Sequence, residues 1–158
     1  MRSLQLNDFQ HYRFLSALSY APDGKAAAFV VSKADMEENG YESSIYVYEN
    51  GEVRRLTGLG KEASFTWLDG TRLLFPAVRS AAEKKRAEAH DPFTSYYVID
   101  IHGGEAVPFM TLPFPARTLK VIDEMRFAVI GMIDVHQPDL YLLNDEERKK
   151  VLKQYEEE

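Results

Sequence analysis

The chain of 158 residues is 45% hydrophobic and 28% charged, the balance of a folding globular sequence and too apolar for a disordered acidic tail. Its 19 Lys and Arg against 25 Asp and Glu give a formal charge of -6, with no basic stripe of the kind a nucleic-acid partner requires. The absence of Cys excludes disulfides, thiolate zinc sites and a cysteine nucleophile.

At the start, Met1 to Asp8 carry no apolar core of signal-peptide length. The longest apolar runs, such as Phe127 to Ile133, are far shorter than a membrane span. A cytoplasmic location with no membrane partner is the expectation.

From there the local pattern is strand. Pro22-Asp23-Gly24 precedes an apolar strand over Ala26–Ser32, and the loop Lys33–Glu42 leads into a second over Ser44–Tyr48. Asn50-Gly51 then turns the chain into Glu52–Thr57. Asn-Gly and Asp-Gly supply the positive φ that tight hairpins demand, so each pair signals an antiparallel connection.

The next stretch repeats this order. Asp69-Gly70 precedes a strand over Thr71–Val78, Ser95–Ile101 follows, and Gly103-Gly104 turns into Glu105–Met110. Between them Ser80–His90 reads SAAEKKRAEAH, in which Ser80 and Glu83 fit a capping box opening a short helix.

A third stretch places strands at Arg126–Ile133 and Asp139–Leu143, a turn at Asn144–Glu147, and a last strand at Arg148–Gln154. Residues 145–158 are contested. Repeat order favours the strand, whereas the helix formers and the i,i+4 pair of Glu146 with Lys150 favour a helix. The strand is the expectation adopted.

The repeat is measurable. Asp-Gly turns recur after 46 residues, and Tyr46, Tyr97 and Tyr141, each in an apolar strand after a longer loop, are 51 and 44 apart. A four-stranded antiparallel unit of roughly 40–50 residues is the blade of a β-propeller. The expected fold is all-β, a partial propeller of about three four-stranded blades at residues 13–59, 64–110 and 116–155 of one domain, 1–158. A β-sandwich also has many short strands but does not require the same internal order in successive units.

Ser19-Tyr20-Ala21-Pro22-Asp23-Gly24-Lys25, with Ile45-Tyr46-Val47-Tyr48 and Gly51-Glu52-Val53-Arg54-Arg55-Leu56-Thr57 downstream, resembles a repeat of TolB-like propellers and of the prolyl oligopeptidase family of serine peptidases. The likeness is to the acylaminoacyl-peptidase and dipeptidyl-aminopeptidase branches of that family, and the lead-in Leu4–Ser19 looks like their beginning. It is good in the first unit, fair in the second and weak in the third. The second departs with Leu68-Asp69-Gly70 for Pro-Asp-Gly and Pro108-Phe109-Met110-Thr111 for the Arg-Leu-Thr ending.

The resemblance implies that this is an N-terminal propeller segment. Its partner would be an α/β-hydrolase domain of the same full-length protein carrying a Ser-Asp-His triad, and short peptides would be the substrate. The propeller's part would be steric gating and substrate selection. The alternative function is a non-catalytic TolB-like module that binds a protein partner. A small oligomeric β protein unrelated to either is a third.

Chemistry is scarce in the chain. No G-x-S-x-G nucleophile elbow occurs, so no catalytic residue is assigned and the chain alone is expected to be inactive. His11, His90, His102 and His136 show no metal-ligand spacing, and Asp134-x-His136 and His90-Asp91 read as loop residues. No metal or cofactor is expected. Gly58-Leu59-Gly60-Lys61 lacks the glycine a phosphate loop needs at position 55, where Arg stands. Phe65, Trp67, Tyr96 and Tyr97 read as packing between blades.

The single candidate substrate-binding pair is Glu37 and Glu38. In some dipeptidyl-peptidase relatives a Glu pair on the propeller grips a free amino terminus, as charge and hydrogen bonding to an ammonium allow. The plainer reading of MEENG is a polar hairpin tip. Finally, three blades leave broad apolar faces and open edges, so self-association of the chain is expected.

Overall fold

The computed structural model describes residue 3, residues 5–123 and residues 125–156; Leu4 in the lead-in, and Glu157 and Glu158 in the contested C-terminal stretch, lie outside the described residues. The chain divides into two compact units, Met1–Ala77 with Tyr96–Phe109, and Val78–Ser95 with Met110–Glu158.

In the first unit, β1 (Phe14–Tyr20), β2 (Ala26–Asp35), β3 (Gly40–Glu49) and β4 (Glu52–Arg55) pair antiparallel in chain order. Each turn does what its residues allow. Asn50 and Gly51, at φ 52° and 87°, close a two-residue hairpin with Glu49 opposite Glu52. At the first turn Ala21 donates its N–H to the Ala26 carbonyl at 2.8 Å, and the Asp23 carboxylate accepts from the Lys25 N–H at 3.1 Å. The register of β1 slips between Ser16 and Ser19, around Ala17 at φ 56°, which marks a bulge.

β2 and β3 stay in register from Ala26 opposite Glu49 to Asp35 opposite Gly40. Alternation therefore sends Ala26, Ala28, Val30, Ile45 and Val47 to one buried face, and Phe29, Val31, Tyr46 and Tyr48 to the other.

A second four-stranded sheet follows, formed in chain order by β5 (Thr66–Trp67), β6 (Arg72–Pro76), β7 (Thr94–Asp100) and β8 (Val107–Leu112). Within the first unit, its Trp67, Leu73, Phe75, Tyr97 and Ile99 form one buried cluster with the inner face of the first sheet. Burial of an aliphatic or aromatic side chain of this size stabilises by roughly 1.5–3 kcal/mol. The Trp67 indole N–H, which burial would otherwise leave unpaired, donates to the Ser19 carbonyl at 3.2 Å. Two meanders packed face to face, each of consecutive strands, are blades of a propeller and not the interleaved sheets of a sandwich.

The second unit holds α1 (Ala81–Glu88), β9 (Ala116–Val121), β10 (Phe127–Gly131), a 3-10 turn at Leu140–Leu142 and α2 (Asp145–Glu156). α1 begins at the expected capping box: Ser80 Oγ accepts from the Glu83 N–H at 3.1 Å, and Glu83 Oε2 accepts from the Ser80 N–H at 2.8 Å. Gly131 packs so closely on Phe114 that a Cβ there would lie 2.6 Å from the ring.

Two expectations are corrected in this region. Asp139–Leu143 is not a strand but contains the 3-10 turn, and Arg148–Gln154 is not a strand but the body of α2. The physical reason is a second capping box. Asn144 Oδ1 accepts from the N–H groups of Glu146 and Glu147 at 3.1 and 3.0 Å, and Glu147 Oε2 accepts from the Asn144 N–H at 3.4 Å. Those contacts satisfy donors at the helix start that a strand would have had to pair across a sheet. Among the described residues β9 and β10 pair only with each other, so the third repeat contributes two strands to the partial propeller. No helix among the described residues is long and apolar enough to cross a membrane.

Candidate functional site

Glu37 and Glu38 stand at the tip between β2 and β3. Asp35 Oδ1 accepts from both of their N–H groups, at 3.0 and 3.2 Å, and Asn39 at φ 48° turns the chain back into β3. Both side chains are exposed and neither is engaged by a described residue. The backbone of this tip is thus held by its own hydrogen bonds while two carboxylates face solvent, an arrangement able to accept an ammonium group.

Behind the tip lies a charged cluster that sequence reading missed. Lys33 and Glu42 are cross-strand partners on the outer face of the first sheet, and the Lys33 ammonium contacts Glu42 Oε2. Arg55 Nη2 reaches Glu42 Oε1 at 3.3 Å and Ser44 Oγ at 2.8 Å, and its Nε donates to the Thr57 carbonyl at 2.7 Å. Arg13, Val31 and Tyr46 complete the lining of a cavity of about 130 Å³. The Lys33 hydrogen bond holds the Glu42 carboxyl below its ordinary value, with Arg55 adding to the effect and burial opposing it. The signal was available in the sequence: once the hairpin turns at residues 36–39, residue 33 must face residue 42.

The opposite end of the first unit holds a second unexpected contact. His102 Nδ1 lies 3.0 Å from Asp100 Oδ1 and Nε2 lies 3.3 Å from Glu49 Oε1, so one imidazole joins the β3–β4 turn to the end of β7. The His102 backbone N–H, 2.8 Å from Asp100 Oδ1, is the main cause holding the Asp100 carboxyl below its ordinary value. Nothing in the spacing of Glu49 and His102 announces this pair, because it depends on the packing of two sheets.

The remaining sequence candidates fall into structural places. His136 donates its backbone N–H to Asp134 Oδ1 at 2.7 Å, so D-x-H is a turn. Asp91 bonds two arginines, Arg86 and Arg148, and His90 at φ 52° ends α1. Gly58–Lys61 runs beside β3, where the Gly60 carbonyl accepts the Ser43 N–H at 2.8 Å. Trp67 and Tyr97 are buried in the cluster between the first two sheets and Phe65 packs against it, as expected; Tyr96, next to Tyr97 in β7 and so on the opposite face, is buried outside that cluster. His11 lies in the 3-10 turn Leu6–His11. Among the described residues no group of three or more His, Asp or Glu could hold a metal ion.

No protein-family model matches the chain. An uncharacterized peptidase of Bacillus subtilis, YuxL, is 30% identical over 99 residues, which are 60% of this chain and 14% of that protein. The β-propeller domain of the trilobed protease from Pyrococcus furiosus, described as having an open velcro topology, matches with a TM-score of 0.53 at 19% identity, covering 77% of this chain and 34% of that one. An acylaminoacyl peptidase of Pyrococcus horikoshii matches with a TM-score of 0.57 at 17% identity, covering 78% of this chain and 18% of that one. The chain therefore spans a minor part of each protein it matches. It is a partial β-propeller of the fold that those peptidases carry, and its sequence is similar to that of a peptidase.

Proposed function

We propose that this chain is the N-terminal propeller portion of a serine peptidase of the prolyl oligopeptidase type, gating the access of short peptides to an α/β-hydrolase domain outside this chain. The observation that carries the reading is the pair of consecutive four-stranded meanders packed through Ile45, Val47, Leu73 and Phe75. Blades stacked in this way build a ring whose central channel admits only what fits it. Chemistry then belongs to a nucleophile elbow that this chain lacks. Glu37 and Glu38, exposed on a braced tip, would hold the free amino terminus of a peptide.

The test uses the complete protein, assayed with a blocked short peptide, a short peptide with a free amino terminus, and a long unfolded polypeptide. The expected result is cleavage of both short substrates, little of the long one, and none by this chain alone. A complete protein that digests the long polypeptide equally fast overturns gating. One with no serine labelled by an active-site-directed fluorophosphonate gives way to the TolB-like binding module. Replacing Glu37 and Glu38 by Gln should raise KM for the free-amino-terminal peptide and leave the blocked one unchanged; an unchanged KM for both removes the ammonium role.

The same reading predicts self-association of the isolated chain. Leu15, Tyr20, Tyr48 and Val53 lie on one exposed side of the first sheet, where a further blade would pack. Light scattering should show oligomers whose population falls when Tyr48 and Val53 are replaced by Lys. A monomer at high concentration would contradict this.

A further inference from the structure

We propose that the groove between α1 and α2 is a binding site for a small, multiply charged oxyanion of the phosphate class. This proposal does not depend on the peptidase reading. The groove encloses about 380 Å³ and, among the described residues, gathers Lys85, Arg86, Arg148, Lys149 and Lys153 around one carboxylate, Asp91. A volume of that order falls within the range of small-molecule sites, roughly 300–1,000 Å³. Among the described residues five cations against one anion are concentrated here, in a chain whose formal charge is -6.

Asp91 cannot neutralise the groove because both of its oxygens are committed. Oδ2 accepts from Arg86 Nε at 2.6 Å and Oδ1 accepts from Arg148 Nε at 2.9 Å. One negative charge between two guanidiniums leaves a surplus positive charge. The ammonium groups of Lys85, Lys149 and Lys153 add three more, and none forms an ion pair with a described residue. Like charges held this close repel, which favours an anion over an empty groove.

The two arginines are also held in place before any ligand arrives. Arg148 has a side chain only 4% exposed and donates to the Pro92 carbonyl. The Arg86 guanidinium sits 4.3 Å from the centre of the Phe93 ring. Guanidiniums fixed in this manner lose little freedom on meeting phosphate oxygens, which their planar forks match. The lysines supply the adjustable rim: Lys149 and Lys153 are one helical turn apart on α2, and Lys85 lies on α1. Ala89 and Leu152 add apolar lining to the groove. The oxyanion could therefore be free or be the phosphoryl group of a small organic molecule with an apolar body.

The experiment follows the side-chain Nε–H signals of Arg86 and Arg148 by NMR while the full chain is titrated with inorganic phosphate, pyrophosphate or phenyl phosphate at constant ionic strength. The expected result is saturable shifts, tighter for pyrophosphate than for phosphate. Affinity should fall at least tenfold in the Lys149→Glu/Lys153→Glu double variant and stay unchanged in Lys120→Glu, which lies outside the groove. Phenyl phosphate binding more tightly than phosphate supports an organic phosphoryl ligand, and equal binding supports the free anion. Linear shifts that never saturate, or affinity retained in a folded double variant, would overturn the proposal.

Discussion

In the first sheet the turn at Asp23 leads from β1 into three further paired strands, whereas the related turn at Asp123 leads from β9 into one strand, a 3-10 turn and then a helix. The beginnings are alike. Asp123 Oδ1 accepts from the N–H groups of Met125 and Arg126 at 3.1 and 2.9 Å, and Asp69 Oδ1 in the second sheet accepts from Thr71 and Arg72 at 2.9 and 2.8 Å. The difference lies downstream. After β2, Ile45 and Val47 alternate with Tyr46 and Tyr48, so a strand buries one face against Leu73 and Phe75. After β10, Leu140 to Leu143 are contiguous and apolar without alternation, and Arg148, Val151 and Leu152 then recur at helical spacing. A strand persists where a second sheet receives its alternate residues; where none does, a local cap starts a helix.

The strongest way to break this comparison is to cut the receiving face. Phe75 is fully buried between the sheets, so Phe75→Ala should cost about 3–5 kcal/mol in urea unfolding. Leu119 in β9, 6% exposed, sits on a hairpin that pairs with no third strand among the described residues, and Leu119→Ala should cost about 2–3 kcal/mol. Equal losses would mean that the two-stranded repeat is as firmly packed as the complete sheets.

Next in size is the helix itself. Val151→Pro removes an intrahelical hydrogen bond and introduces a steric clash, a local cost of about 3 kcal/mol. Far-UV circular dichroism should lose the α2 contribution, while the near-UV signal of Trp67, buried in the first unit, should remain. Loss of both signals would show that the sheets cannot fold without the helix.

These contrasts also explain what could be read from the residues alone. The hairpin at Asn50-Gly51 and the cap at Ser80 were legible because each is decided within four residues by backbone freedom or a side-chain acceptor; the hairpin at Asp69-Gly70 forms without the positive φ expected of Asp-Gly, its turn made instead by Asp69 Oδ1 accepting from the Thr71 and Arg72 N–H groups. The Asp123 turn was overlooked because no Gly follows the Asp; its signature is the Arg three residues later, whose Nε donates to Asp123 Oδ2 at 2.7 Å as Arg72 does to Asp69 at 2.6 Å. The box of Asn144 with Glu147 was equally local and was outweighed by the expectation of a repeat. The contact of His102 with Glu49 and the groove formed by Arg86, Asp91 and Arg148 join residues more than 50 positions apart, and only packing brings them together.

The two Asp-to-Arg turns sharpen the comparison at a smaller scale through acid. Burial works to raise the Asp69 carboxyl, and the N–H groups of Thr71 and Arg72 with the Arg72 guanidinium outweigh it, so the carboxyl titrates below its ordinary value. Asp123 is lowered chiefly by the Arg126 guanidinium, with the Met125 N–H adding to it. Carboxyls lowered by folding contribute stability in full above the unfolded value of about 4, and that contribution is lost as pH falls through the folded value. The urea midpoint should therefore decline as pH falls below about 4. Asp69→Asn and Asp123→Asn keep the acceptor for the turn but lose the charge, and should flatten that acid limb. An acid limb unchanged in the double variant would assign the loss to other carboxylates, such as Glu42 and Asp100.

The smallest expected effect lies where the first two sheets meet at their turns. His102 is 57% exposed, and its contacts with Glu49 and Asp100 are worth no more than about 1 kcal/mol in stability. His102→Ala removes the ring but keeps the backbone N–H that is the main cause of the lowered Asp100 carboxyl. The Asp100 titration, followed by carboxyl NMR, should therefore move only part of the way back to its ordinary value, with little change in the urea midpoint. A full return would show that the turn at residue 102 depends on the imidazole for its geometry, making this contact a structural join between the sheets instead of a surface ion pair.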